Sequence, residues 1–89
     1  MKKIFIIGSM SQISQIMAAR DRLQEINYVV RIPNVTNPHL KDCVDECFKN
    51  IQWCDELLVI AKSDGTVGES VTHEICFAKY LHKEISYIY

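Results

Sequence analysis

Four short apolar runs alternate with three amphipathic stretches, and this alternation restricts the fold more than any other feature of the chain. Residues 3–8 (KIFIIG), 28–32 (YVVRI), 55–61 (DELLVIA) and 84–89 (EISYIY) each read as a strand. The first is a continuous apolar run and the third reads as buried, as parallel strands covered on both faces are. Between the strands, 11–25 spaces Ile13, Ile16, Met17 and Leu23 at helical intervals. The stretch 40–53 puts Val44, Cys47, Phe48 and Ile51 on one side, and 69–81 does the same with Val71, Ile75, Ala78 and Leu81. Ser9 and Ser11 offer caps for the first helix. Asn27 stands where a left-handed residue would end it. Pro33 stops the second strand; 34–39, with Pro38, reads as a turn-rich loop, and 62–68 (KSDGTVG) as a loop with two glycines and an aspartate.

The order is β-α-β-α-β-α-β. Parallel strands joined by right-handed crossovers predict an α/β fold, a three-layer α/β/α sandwich on a four-stranded parallel sheet of order 2-1-3-4. With 89 residues there is room for one core, so 1–89 is read as a single domain. The strand order reverses between strands 1 and 3. In open α/β sheets the ligand crevice lies there, beyond the carboxyl ends of the strands. Two loops would line it: Gly8-Ser9-Met10-Ser11 and 62–68.

Composition narrows the classes. Lys and Arg number 10 against 11 Asp and Glu, a net charge of −1. That excludes the basic balance of a general nucleic-acid binder. The longest apolar runs fall far short of the roughly 18 residues a membrane helix requires. The start has too short an apolar core for a signal peptide. A cytoplasmic protein is expected, with no metal and no cofactor. A chain this short has a thin core, for which self-association is one common remedy, and a homo-oligomer is expected. Helix 2 carries Phe48 and Trp53 as candidate apolar surface for it. Cys43, Cys47 and Cys54 share a helical stripe with Ile51, without the C-x-x-C spacing of a zinc site. The four cysteines read as buried, reduced thiols.

The phosphate-loop and dinucleotide fingerprints do not occur. His73-Glu74 is followed by Phe77 where a zinc hydrolase requires a second His. There remains an acidic, glycine-bearing loop running into a helix, SDGTVGESVTHE. A helix N-terminus has free N–H groups and a partial positive charge, suited to an anion. Ser9, Ser11, Thr66 and Ser70 are donors for a sugar or phosphate. Each has a plainer role open to it: Glu69 complements the dipole, Asp64-Gly65 is an ordinary turn pair, and Ser9 and Ser11 are caps. His73 reads as exposed, and His39 and His82 as loop residues. Glu74 differs, because it lies beside the buried face of its helix, where an acid costs free energy unless it is solvated or paired.

The stretch 55–83 resembles the nucleoside 2-deoxyribosyltransferase family. The shared pattern is an Asp-led strand, an Asp- and Gly-bearing loop, then a helix with Glu74, Ile75, Cys76, Phe77 and Ala78, and Lys83 before the last strand. The opening KIFIIGSM is similar to the family's first strand and its small-residue loop. The resemblance implies a flavodoxin-like fold and a site for a nucleoside or nucleoside 5′-monophosphate. It implies Glu74 as the nucleophile on the sugar C1′. It also implies a substrate-binding set of Gly8, Ser9, Met10, Asp64, Gly65 and Ser70. Three features depart from the pattern. The strand-1 Tyr that hydrogen-bonds the family's Glu falls on Phe5, which has no donor. The second-helix Asp falls at or near Cys47. The family's chains also continue past the fourth strand. Two readings follow: N-glycosidic cleavage or 2-deoxyribosyl transfer through Glu74, and a non-catalytic nucleotide-binding module in the same crevice. A third, a protein-interaction domain, leaves the loop acids unexplained.

Overall fold

The computed structural model describes residues 1–33 and 40–88, apart from the side chains of Met10 and of residues 40–44. In order, the elements are β1 (Lys3–Gly8), a 3-10 turn (Met10–Gln12), α1 (Ile13–Glu25), β2 (Val29–Arg31), α2 (Leu40–Trp53), β3 (Glu56–Ile60), α3 (Glu69–Tyr80) and β4 (Glu84–Ile88). All strand pairs are parallel, in the order β2-β1-β3-β4, as the alternation of elements predicts. The loop expected at 34–39, with His39, lies outside the described residues.

Strand residues alternate between two helical layers, as the pleat requires. Phe5, Ile7, Leu57 and Val59 pack with Cys47, Ile51 and Cys54 of the α2 region and with Val71, Ile75 and Ala78 of α3. Ile4, Ile6, Leu58 and Ile60 face the other way and pack with Ile16 of α1. Each large apolar side chain fully buried here contributes roughly 1.5–3 kcal/mol. Gly8 ends β1 opposite Ile60. A Cβ there would lie 3.0 Å from the Ile60 carbonyl oxygen and 3.2 Å from the Ile16 side chain, so the bare backbone lets α1 close on the sheet.

Two helices end alike. After α1, the Asn27 N–H donates to the Gln24 carbonyl and the Tyr28 N–H to that of Leu23, with Asn27 at φ 72°. After α3, His82 donates to Lys79 and Lys83 to Ala78, with His82 at φ 58°. Both are Schellman closures, which return each chain to the sheet. The first was expected at Asn27; the second was not expected at a histidine.

Some boundaries differ from expectation. The helix expected from Ser11 becomes α-helical at Ile13, after the 3-10 turn. Neither serine caps it. Their hydroxyls bond each other at 2.7 Å, and α1 begins at Gln12 with no side-chain cap. The second strand is three residues, not five, because the Tyr28 N–H is held by the Leu23 carbonyl of the helix closure. Cys47 and Cys54 are buried, while Cys76 is exposed on α3; none of the three is in a disulfide. Cys76 therefore corrects the expectation that all the thiols are interior. It follows the buried Ile75 around the helix and turns to solvent.

Candidate functional site

The order reversal between β1 and β3 brings two loops together at the carboxyl ends of adjacent strands. Gly8 and Ile60 are register partners, so the residues that follow them leave the sheet side by side. The Gln12 side-chain amide donates to the Ala61 carbonyl at 3.3 Å, which ties the turn after β1 to the end of β3.

The β1 loop is short. Ser9 is half-buried, and its carbonyl accepts the Gln12 N–H at 2.8 Å. Its hydroxyl shares a hydrogen bond with Ser11. Met10 opens the 3-10 turn. The β3 loop folds on itself. The Gly65 N–H donates to the Lys62 carbonyl at 2.8 Å and the Lys62 N–H to the Thr66 carbonyl at 2.9 Å. Gly65 takes φ 84°, a conformation that excludes most side chains. The Asp64 carboxylate accepts the Thr66 N–H at 3.0 Å and the Thr66 hydroxyl at 2.6 Å. These two bonds hold the Asp64 carboxyl below its ordinary pKa. Asp64 is exposed and organises its own turn, the role of an Asx residue.

α3 starts after Gly68, whose backbone is extended (ψ 167°). No atom lies within 4 Å of where a Cβ would stand on Gly68, so this entry to the helix is open. Glu69 is exposed in the first turn, 3.9 Å from His73. Ser70 is exposed one helical turn before Glu74. Glu74 itself lies about 7.5 Å along the axis from Glu69 at 1.5 Å per residue. Helical side chains lean towards the N-terminus of their helix, so Glu74 leans towards the strand-tip end.

Glu74 is half-buried and sits where α3 meets α2. Its carboxyl pKa is raised, first by desolvation; the neighbouring Cys47 side chain of α2 acts in the opposite sense. Cys47 is 7% exposed. One residue further along α2, Phe48 stacks on Phe77 of α3 with ring centroids 4.8 Å apart. The aromatic pair joins α2 to α3 across their seam. Phe5 is fully buried in the sheet beneath this layer.

Other residues of the sequence pattern are structural. The Asp55 carboxylate accepts the Lys3 N–H at 2.9 Å, while the Asp55 N–H donates to the Lys3 carbonyl at 2.7 Å. Lys83 donates to the Gln52 carbonyl at the end of α2. Both act at the end of the sheet opposite the two loops. Sequence reasoning missed the Gln12 tie and the Phe48–Phe77 contact. The helical stripe marks Cys47 as interior but carries no sign of which element it meets.

Among the described residues there is no cluster of three or more His, Cys, Asp or Glu able to hold a metal. A shallow cavity of about 130 Å³ lies on the other face of the sheet, between Gln15, Ala18, Ala19 and Arg22 of α1 and the ends of β3 and β4 at Ile60 and Ile88. It belongs to the layer opposite Glu74. Among the described residues no helix is long and apolar enough to cross a membrane. No family model matches the chain, and no curated protein matches it.

Proposed function

We propose that the protein cleaves or exchanges the N-glycosidic bond of a nucleoside or nucleoside 5′-monophosphate, with Glu74 as nucleophile. The observation that carries this reading is the setting of Glu74. It is a half-buried carboxyl, raised in pKa by desolvation, on the helix that rises from the β3 loop. Perturbation of an acid by burial is a mark of functional sites. The resemblance of 55–83 to the 2-deoxyribosyltransferases supports the same residue.

The chemistry balances without a cofactor. A Glu74 carboxylate oxygen attacks C1′ as the bond to the base nitrogen breaks, and the base leaves with that electron pair and takes a proton. The resulting glycosyl ester at Glu74 is then opened at C1′ by water or by a second base, which restores the carboxylate. This is the logic of a retaining glycosidase, where a carboxylate traps an oxocarbenium-like centre. Ser9 and Ser70 supply hydroxyls to the sugar or phosphate, and the backbone at Gly8, Met10 and Gly65 approaches the ligand closely. Asp64 shapes the loop they share. The reading extends to a homo-oligomer.

A binding module is the second reading, favoured by Phe5 and by Asp64. Phe5 offers no donor beside Glu74, and the Asp64 carboxylate is already engaged by Thr66. The deciding experiment incubates the protein with ribo- and deoxynucleosides and their 5′-monophosphates, with and without an acceptor base. Free or exchanged base is read by chromatography. Release that disappears in Glu74→Ala establishes glycosyl transfer. No release at high protein concentration, with retained nucleotide binding by calorimetry, establishes the module instead.

A further inference from the structure

We propose that the homo-oligomer forms through β4, which pairs antiparallel with β4 of a second copy about a two-fold axis at Ser86 and joins two sheets into one. The proposal rests on the homo-oligomer put forward above, gives it a surface and a register, and is independent of Glu74.

The direction of the backbone carries it furthest. The Ala61 N–H donates to the Ile88 carbonyl at 2.7 Å, so Ile88 turns its peptide groups towards β3. Peptide groups alternate sides along a strand, so Ser86 and Glu84 turn theirs to β3 as well, while Ile85 and Tyr87 turn theirs away. β4 is the last strand of the sheet among the described residues. Its free edge therefore presents the N–H and carbonyl groups of Ile85 and Tyr87, one residue either side of Ser86. That spacing is self-complementary. With Ser86 on the axis, Ile85 of each copy meets Tyr87 of the other as a hydrogen-bonded pair. Ser86 then meets its own counterpart in a non-hydrogen-bonded pair, where Cα atoms approach to about 4.5 Å and a small side chain fits.

The side chains agree with this register. Tyr87 is exposed on the face where Ile85 packs against the α2–α3 core. The pairing lays each Tyr87 ring beside the other copy's Ile85, an aromatic and β-branched pair. On the opposite face Glu84 of one copy stands across from Ile88 of the other, so Glu84 meets no like charge. Ile88 and Arg22 line one cavity, so the second copy's Glu84 comes to the rim of a site that holds an arginine. Within its own chain Glu84 is held by Lys2 at 3.0 Å. The two edges of the sheet are also guarded differently. β2 is three residues long, carries Arg31 and gives way to Pro33. Short strands, cations and prolines blunt a sheet edge. Residues 85–88 of β4 have no charge and no proline, and Tyr87 and Ile88 are exposed.

Two variants test it. Tyr87→Pro removes an outward N–H and leaves the ladder to β3 intact, as prolines on edge strands do. Light scattering is expected to give the native protein twice the 10.3 kDa of one chain and Tyr87→Pro the mass of one chain, with the same circular dichroism. Ser86→Cys tests the register, and does so even where the proline variant fails to fold. In a Cys76→Ser background, mild oxidation is expected to link two copies, since the paired Cα atoms lie within reach of a disulfide. Ile88→Cys in the same background is the control. The two Ile88 positions lie about 14 Å apart along the strands, four residues at roughly 3.4 Å each, and are expected not to link. An oligomer that keeps its mass in Tyr87→Pro and does not link through Ser86→Cys overturns the interface and leaves the homo-oligomer standing. A link through Ile88→Cys as complete as through Ser86→Cys overturns the register. A monomeric native protein overturns interface and oligomer together. The base-release assay reads Glu74 separately, so either proposal can fail without the other.

Discussion

His82 ends α3 at φ 58°, where a Cβ crowds the following carbonyl. The Schellman bonds of Lys79 and Ala78 require that conformation, and glycine takes it at no steric cost. His82→Gly is therefore expected to stabilise the fold by about 0.5–1 kcal/mol, the relieved strain exceeding the added freedom of the unfolded chain. Urea unfolding measures it, and a lower midpoint contradicts it. Glu74 pulls the other way. Its folded pKa lies above the ordinary 4.5, because burial disfavours the charge. The stability it contributes is thus present below pH 4.5 and is lost as pH rises through the folded value. Glu74→Gln is expected to unfold at higher urea than the native protein at neutral pH. The gap is expected to close below pH 4.5, where both side chains are neutral. An equal gap at both pH values would refute burial as the cause. An acid kept at a cost to stability is what a functional site requires.

At the scale of the element, α3 divides its sides by task. Val71, Ile75 and Ala78 anchor it to the sheet. Glu74 and Phe77 turn towards α2, where they meet Cys47 and Phe48. The stretch 69–81 thus forms a helix whose apolar spacing holds it down while an acid rides at the edge of that spacing. The aromatic pair is expected to couple the two helices. A double-mutant cycle on Phe48→Leu and Phe77→Leu should give an interaction of about 0.5–1.5 kcal/mol, the range of offset ring pairs. Additive single effects would show that the rings merely share a surface. α2 uses its other aromatic internally too. Arg31 lies 4.0 Å and Lys3 5.6 Å from the Trp53 ring centroid. Arg31 also donates to Asn50 at 3.0 Å. Phe48 and Trp53, read from sequence as candidate surface for self-association, are half-buried and also make contacts within the chain.

On the scale of the whole molecule, the sheet is covered unequally. α2 and α3 share one face, while α1 serves the other and packs mainly with the β1–β2 side. Ile88 and Tyr87 of the edge strand β4 remain 44% and 45% exposed. At the opposite end of the sheet, Lys2 bridges Glu56 at 2.6 Å and Glu84 at 3.0 Å, joining the start of β1 to β3 and β4. The Lys2 ammonium is held well above its ordinary pKa by these two carboxylates, so the bridge persists through the neutral range. A thin core with an open apolar strand edge favours association. Light scattering at high micromolar concentration is expected to give a mass above the 10.3 kDa of one chain. A monomer at that concentration refutes the homo-oligomer.

By itself the sequence determined the element order, the parallel sheet and its strand sequence. These follow from local periodicity and from the single hand of βαβ crossovers, both written in consecutive residues. It also singled out Glu74 as an acid beside a buried face, and Asn27 as a helix end. Tertiary structure alone decided what those residues meet. The ring on Phe77 comes from another helix, and the Gln12 amide on Ala61 from another loop. Asp64, which the sequence offers equally to a ligand or to a turn, is taken by Thr66 two residues away. Spacing along one element says which side of it is buried; which partner stands opposite depends on how the elements are stacked, and that is set only when the whole sheet and its helices close together.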